Sequence, residues 1–548
     1  MTKENELFGH PKGLFYLFFA ELWERFSYYG MRALLTLYMV NEFFKHVQDN
    51  EALAIGIFAA YGSLVYMTPV LGGMIADKFI GFKKSILLGG ILMALGHFFM
   101  AFYFDAESYQ NGILGFSVDA VNNFFFYLAL ALLIVGNGFF KPNISTMVGR
   151  LYAEGDDRRD SGFTIFYMGI NVGAFLAPLA CGYLGYEYGW HYGFGAAGVG
   201  MLIGLFFFWD GMRKGVFGDN GNQPAEYVDK KMYGLRTDKF FYLLAIVFVP
   251  VFAFLVKNND ISLEKLTGIE SLSDNLLLSS LLTVLGIAIL GIIANKMREL
   301  SKIEIFRLIT VIVLTMLITV FWSFFELAGT AITLFAEKNV NLTLMNASQT
   351  NAINPGYIML LAIPFSLIWV KLSKMQRNPI TPVKFALGIL QLGLGFIVFA
   401  MSAQFMDESG KVPFMFLLVG YFLMTTGELF ISPIGLSKVT ELSPKSMTAF
   451  MMGVYFLSSS YAHYISGAIA KLTTSAEVGV VPEPGFMTSM IENITGFTNA
   501  ATSSTSEAVQ SLLSYTSVFA QVGVVAIGLS LVAFMIAPII KKWMHGVH

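Results

Sequence analysis

Stretches of about 20 mostly apolar residues, the length of a membrane-spanning helix, return again and again along this chain, and no other feature constrains its fold as much. They lie near 13–41, 52–77, 84–104, 123–148, 161–186, 191–212, 239–257, 275–296, 306–336, 351–374, 382–402, 413–438, 446–471 and 514–541, which makes 14. In lipid every backbone N–H and C=O has to be satisfied inside the element, so runs of this length fold as helices. Charge is scarce to match: 13% of the 548 residues are charged, against roughly a quarter in a soluble domain. The expected class is an all-α polytopic membrane protein. Prolines within spans (Pro69, Pro142, Pro178, Pro364, Pro433) suit helices that bend around a cavity. The apolar run after Lys3 and Lys12 continues to about Val40 with no small-residue cleavage site, so it reads as the first span and not as a signal peptide.

The basic residues give an orientation. With the N-terminus placed in the cytoplasm, 26 of the 35 Lys and Arg fall on cytoplasmic segments and their edges, and 6 fall on the other side. The remaining 3, Arg25, Arg32 and Lys141, lie inside spans. Both termini are therefore expected to be cytoplasmic. The layout reads as an N-terminal six-helix bundle (1–213), a linker with two additional helices (214–300) and a C-terminal six-helix bundle (301–548). The added pair carries the fewest polar residues at helix-interior positions and is expected to face lipid. The segment from about Thr473 to Ser511 reads as an external loop.

A net charge of −2 argues against a nucleic-acid partner. The single cysteine, Cys181, lies in an apolar stretch and excludes both a disulfide framework and a thiolate metal site; it reads as a small buried hydrophobe. No metal and no cofactor are expected.

The charges within the spans carry the functional reading, because an ionisable group at membrane depth costs several kcal/mol and persists where it acts or is paired. The first span reads FFAELWERFSYYGMRALL. At about 100° per residue, Glu21, Glu24, Arg25, Tyr28, Tyr29 and Arg32 share an arc of about 140°. A structural salt-bridge stripe would explain the charges but not the adjacent tyrosines; a polar cavity wall explains both. Lys141 lies in GNGFFKPNIS, where Gly136 and Gly138 permit close helix approach and Pro142 opens the backbone. That GxG pair has no preceding strand and is no nucleotide loop. A buried lysine needs a carboxylate, and Glu21 or Glu24 are the candidates. Later in the chain stand Glu326 (FWSFFELAGT) and Glu428 (TTGELFISPIGLS), with Asn171 and Asn354 as uncharged hydrogen-bonding groups that suit packing or ligand binding equally. The first half thus offers cations and acids, the second half acids alone, and a ligand with a carboxylate at one end and an ammonium at the other would complement them. A short peptide is such a ligand. Glutamates that gain and lose basic partners could bind and release a proton once per cycle.

At these residues the chain resembles the proton-dependent oligopeptide transporter family of the major facilitator superfamily. Glu21-x-x-Glu24-Arg25-Phe26-x-Tyr28-Tyr29-Gly30 is similar to that family's first-helix motif. Gly72-Gly73-Met74-Ile75-Ala76-Asp77 with Gly81 resembles a second signature, with Ser85 in place of the usual residue. Phe163–Phe175, GNGFFKPN, FWSFFE and GELFISPIGLS match further segments. The resemblance covers nearly the whole chain, including the extra helix pair of bacterial members. It implies a proton-coupled symporter of di- and tripeptides, in which two bundles rock around a central site. Proton coupling would fall to Glu21, Glu24, Arg25 and Glu326. The peptide carboxylate would be held by Arg25, Arg32 and Lys141, the amino end by Glu428, Asn171 and Asn354, and the backbone or side chains by Tyr29 and Tyr66. Arg32 with Glu326 and Lys141 with Glu428 would act as gates. A monomer would suffice.

Two departures stand out. Ala59 occupies a second-span position where some relatives have histidine, which leaves coupling to the carboxylates. Tyr455 replaces a common tryptophan. His97 and His463, also at depth, read as structural. A carrier of another small anion or of single amino acids is the alternative within transport. An enzyme is disfavoured by the absence of HExxH or a Ser/His/Asp set near the charges, and a channel by paired charges of both signs.

Overall fold

A computed structural model describes residues 6–104, 108–109, 112–153, 156–262, 264–265, 276–474, 486–496 and 506–547. Fourteen long helices run through it: α1 Lys12–Tyr38, α2 Asn50–Ile75, α3 Phe82–Met100, α4 Val118–Arg150, α5 Arg159–Glu187, α6 Trp190–Arg213, α7 Thr237–Lys257, α8 Leu277–Met297, α9 Lys302–Phe325, α10 Ile353–Lys374, α11 Thr381–Met401, α12 Met415–Leu442, α13 Thr448–Lys471 and α14 Glu507–Trp543. Each covers one of the apolar stretches. Twelve are long and apolar enough to cross a membrane by length and composition. The two that are not are α1, interrupted by its charges, and α13, interrupted by Ser458–Ser460, Tyr461, His463 and Tyr464. Strand is limited, among the described residues, to two-residue pairings at the ends of helices.

Local chemistry sets the helix ends. Ser117 caps α4 by accepting from the Ala120 N–H, and Ser301 with Glu304 forms a reciprocal capping box at the start of α9. Gly81, at φ +77°, makes the turn from a π-helical end of α2 (Ala76–Ile80) into α3. One span departs from the expected continuous helix over 306–336. It breaks at Glu326–Gly329, a 3-10 turn followed by Thr330 at φ −130°, ψ −92°, and resumes as Ala331–Asn339. No proline causes this; the poor helix formers at the spot are Gly329 and Thr330, at the end of the turn. Of the expected external loop, residues 475–485 and 497–505 lie outside the described residues, while Phe486–Thr495 forms a short helix. The Gln404 side chain donates to the Ile494 carbonyl of that helix at 2.7 Å.

The chain separates into two compact units, Met1–Tyr38 with Ala60–Asn259, and Met39–Ala59 with Asp260–His548. In the first unit α1 packs on α5 and α6, and α3 on α4 and α6. Glycine makes these approaches possible. A Cβ on Gly89 of α3 would stand 2.5 Å from the Gly136 carbonyl of α4, and one on Gly72 of α2 would collide with the Gly138 carbonyl. Helix α7 belongs here, held by Phe79 stacked on Phe241 (4.9 Å between centroids) and by Lys84 paired with Asp238 at 2.5 Å. In the second unit α11 packs on α12 and α14, α9 on α13, and α10 on α12. Helix α8 joins this unit, where the Tyr461 hydroxyl donates to the Leu282 carbonyl at 2.8 Å. The segment Met39–Ala59 is tied to the same unit through Glu51, which accepts from the Tyr515 hydroxyl at 2.9 Å and pairs with Lys338. Over their most apolar stretches α7 and α8 are only 28% and 17% covered by protein, as fits lipid-facing helices, though Ser348–Lys374 is equally bare at 17%.

Candidate functional site

Helix α1 is buried along most of its length, so its charges have no water to fall back on and have to find partners. Arg25 supplies them for both acids. Its Nε and Nη2 meet the two oxygens of Glu24, the Nη2 contact at 2.6 Å, and Nε also lies 3.2 Å from Glu21 Oε1, one turn back. The three are 2%, 0% and 3% exposed. The i, i+4 spacing that placed Glu21 beside Arg25 in the sequence is therefore realised. Arg25 also stands over the Tyr28 ring, 5.3 Å from its centroid. The satisfaction is unequal: both oxygens of Glu24 are engaged, whereas Glu21 Oε2 is buried with no hydrogen-bond partner among the described residues. Two carboxylates on one guanidinium sum to −1, and burying an excess charge is costly unless a proton or a further cation offsets it.

That further cation is Lys141. The structure sets its ammonium 4.1 Å from the centroid of the Tyr66 ring and close enough to Glu21 to act on it electrostatically. Tyr66, expected to touch the peptide, thus also positions the lysine. Tyr29 and Arg32 are half-buried on the same helix, and the Arg32 charge acts on the phenols of Tyr28 and Tyr61. Tyr61 is fully buried on α2 and was not singled out by the sequence; its position one helical turn before Val65–Tyr66 was the available signal. Asn171 donates to the Tyr167 carbonyl at 3.0 Å within α5, so one amide hydrogen serves its own helix. Close packing of α5 on α1 is set by Gly173, where a Cβ would meet the Leu22 carbonyl.

In the second unit Asn354, at the start of α10, donates to Glu428 Oε2 and to Thr425 Oγ1 of α12, each at 3.0 Å. Thr425 in turn donates to the Tyr421 carbonyl at 2.7 Å. This chain fixes the orientation of the Glu428 carboxylate, which is 8% exposed. Glu326 occupies the break that ends α9 and is buried, within electrostatic range of Glu428. Beside it stands a residue that the sequence reading had treated as structural: His463 Nε2 lies 3.4 Å from Glu326 Oε2. The structure therefore brings Glu21, Glu24, Arg25, Lys141 and Tyr66 together in one unit, and Glu428, Asn354 and Glu326 in the other. Among the described residues, no group of three or more His, Cys, Asp and Glu could hold a metal ion.

Comparison with known proteins decides the family. The model described as POT family matches residues 83–490. The chain belongs to the POT family. It is 34% identical to the uncharacterized transporter YclF of Bacillus subtilis (strain 168), over 99% of this chain and 97% of that one. It is 33% identical to the di-/tripeptide transporter of Lactococcus lactis subsp. lactis (strain IL1403), over 86% of this chain and 92% of that one. Among solved structures, the crystal structure of peptide transporter POT in complex with sulfate superposes with a TM-score of 0.74 at 34% identity, covering 99% of this chain and 97% of that one. The POT fold is the helical major facilitator fold, here with its extra helix pair. This member is a multi-span membrane transporter and not an enzyme.

Proposed function

We propose that this chain is a symporter that uses the proton gradient to import di- and tripeptides across the cytoplasmic membrane by alternating access, as a monomer, with both termini in the cytoplasm and no cofactor. One observation carries the reading: two buried carboxylates share a single arginine, and one carboxylate oxygen, Glu21 Oε2, has no donor among the described residues. A proton on that oxygen makes the Glu21–Glu24–Arg25 group neutral. A peptide carboxylate drawn to Arg25, Arg32 and Lys141 adds negative charge to the same region, so substrate binding favours proton uptake. The peptide's ammonium is assigned to Glu428, oriented by Asn354, with Asn171 as a further acceptor and Tyr29 and Tyr66 against the backbone or side chains. Arg32 with Glu326, and Lys141 with Glu428, are assigned as the pairs that form and part during gating. The moving bodies are taken as 1–213 and 301–548, with 214–300 as connector. Names among the relatives, a di-/tripeptide transporter included, support the substrate class.

Reconstituted into liposomes with an inward proton gradient, the protein should accumulate a labelled dipeptide, and a protonophore should abolish the accumulation. Accumulation indifferent to the protonophore would refute the coupling. Competition by nitrate or single amino acids in preference to peptides would refute the substrate.

A further inference from the structure

Between the ends of α10, α11 and α12 in the second unit lies a pocket of about 470 Å³, whose polar lining is Ser373, Asn378, Thr381, Lys384, Ser437 and Lys438. That volume suits a small ligand. Lys384 is the unusual residue. It is 8% exposed, and its ammonium stands 4.5 Å from the centroid of the Trp369 ring. An ammonium carries three N–H donors, and a ring face attracts the charge without offering a lone pair to each of them. Among the described residues no carboxylate pairs with Lys384 and no oxygen accepts from it. The neighbouring charge is of the same sign: Lys438 is close enough to act on it electrostatically. The carboxylate at hand, Glu441, already accepts from Lys438 at 2.6 Å and from Ser437 at 2.9 Å. The hydroxyl of Thr381, buried in the first turn of α11, likewise has no hydrogen-bond partner among the described residues. A buried cation is costly without an anion, and this one faces a space that could hold it.

We propose that this pocket holds the phosphate of an anionic phospholipid, with the Lys384 ammonium and the Thr381 hydroxyl as its donors. The surroundings favour a lipid over a dissolved anion. From Lys338 to Met406 the chain has no acidic residue, while Lys371, Lys374, Arg377 and Lys384 all fall between positions 371 and 384. Lys371 and Lys374 are exposed, and they end an exposed apolar strip on α10 formed by Leu360, Ile363 and Leu367. At about 100° per residue these five side chains share one face of the helix. An apolar strip that runs into cations matches acyl chains beneath a headgroup, and basic pockets at the ends of membrane helices draw anionic lipid. Trp369 points the other way, toward α12, where it meets the Phe430 ring edge-on at 5.0 Å between centroids. Pocket and strip therefore flank the same helix end. A dissolved phosphate would use the pocket alone; a phospholipid uses the pocket, the basic rim and the strip together.

Native mass spectrometry of the purified full chain tests this, with phosphatidylglycerol and phosphatidylcholine of the same acyl chains titrated separately. The native protein should hold one phosphatidylglycerol about tenfold more tightly than phosphatidylcholine, and Lys384→Gln should remove about that tenfold, the worth of one hydrogen bond to a charged group. Lys371→Gln, at the exposed rim, should weaken the same lipid only about threefold. Equal retention of the two lipids, or retention of phosphatidylglycerol unchanged by Lys384→Gln, overturns the proposal. Inorganic phosphate in large excess should leave the lipid bound; its displacement would make the pocket a site for a dissolved anion and overturn the lipid assignment. A second measurement needs no variant and so survives a Lys384→Gln chain that fails to fold. Phosphatidylglycerol carrying a photoreactive group on its headgroup should label peptides from 369–384 or 434–441 of the native protein, and labelling that leaves both unmarked also overturns the proposal. None of these readouts involves transport, so they stand or fall separately from the proposed symport.

Discussion

Glu21 and Glu24 differ by three positions in the sequence and by one hydrogen-bond inventory in the structure, and their substitutions should therefore fail in different ways. Glu21→Gln fixes the proton-loaded state: gradient-driven uptake should fall at least tenfold while counterflow exchange of labelled dipeptide persists. Glu24→Gln replaces the bidentate, charge-assisted bonds to Arg25 with a single neutral acceptor, an effect on the order of 1.5–3 kcal/mol. It should appear as a lowered melting temperature in detergent, before any transport assay. Lys141→Ala should weaken dipeptides with a free carboxylate about tenfold more than their C-terminally amidated forms; equal weakening would refute the carboxylate assignment. Much of this was legible. The spacing of Glu21, Arg25 and Arg32 fixed their common face without any tertiary knowledge. What the sequence did not contain was the partner across space: nothing local relates His463 to Glu326, 137 positions earlier, or tells that Tyr66 carries the ammonium of Lys141.

Among the elements, the close approaches of α4 were readable from its glycines, though their partners, Gly89 on α3 and Gly72 on α2, were not. Gly136→Val should force α3 and α4 apart, since even a Cβ would lie 2.7 Å from the Gly89 carbonyl. The expected loss is about 1–3 kcal/mol, seen as a melting temperature several degrees lower. Gly195→Ala on α6, with nothing within 4 Å of its Cβ, is the control that should leave it unchanged. The break at Glu326–Gly329 was not legible, because the apolar pattern runs on across it and Leu327 and Ala328 are good helix formers, with only Gly329 and Thr330 to mark the spot.

For the molecule as a whole, hydropathy was enough to set the number of long helices, and the distribution of Lys and Arg predicts an orientation. The orientation has a direct check because Cys181 is fully buried beneath Gly30, its Sγ filling the space a Cβ there would need. In a Cys181→Ser background, Lys45→Cys should react with a membrane-impermeant maleimide on intact cells, and Lys214→Cys only after permeabilisation; the reverse pattern would invert the topology. Division of the added pair between the units, α7 with the first and α8 with the second, was hidden, because it depends on side-chain contacts such as Phe79–Phe241 and Tyr461–Leu282.

Of the two long helices too polar to qualify as spans on composition, α1 and α13, the first holds most of the proposed proton chemistry. Each charge near the middle of a helix costs about 2.5–3.5 kcal/mol on insertion into the bilayer, and α1 carries four. During synthesis such a segment is poorly retained by lipid on its own. Its residence in the membrane comes to depend on α5 and α6, made more than a hundred residues later, whose faces cover it. Coupling to the proton thus has a cost in biogenesis: the helix that starts the chain is among the last to be secured.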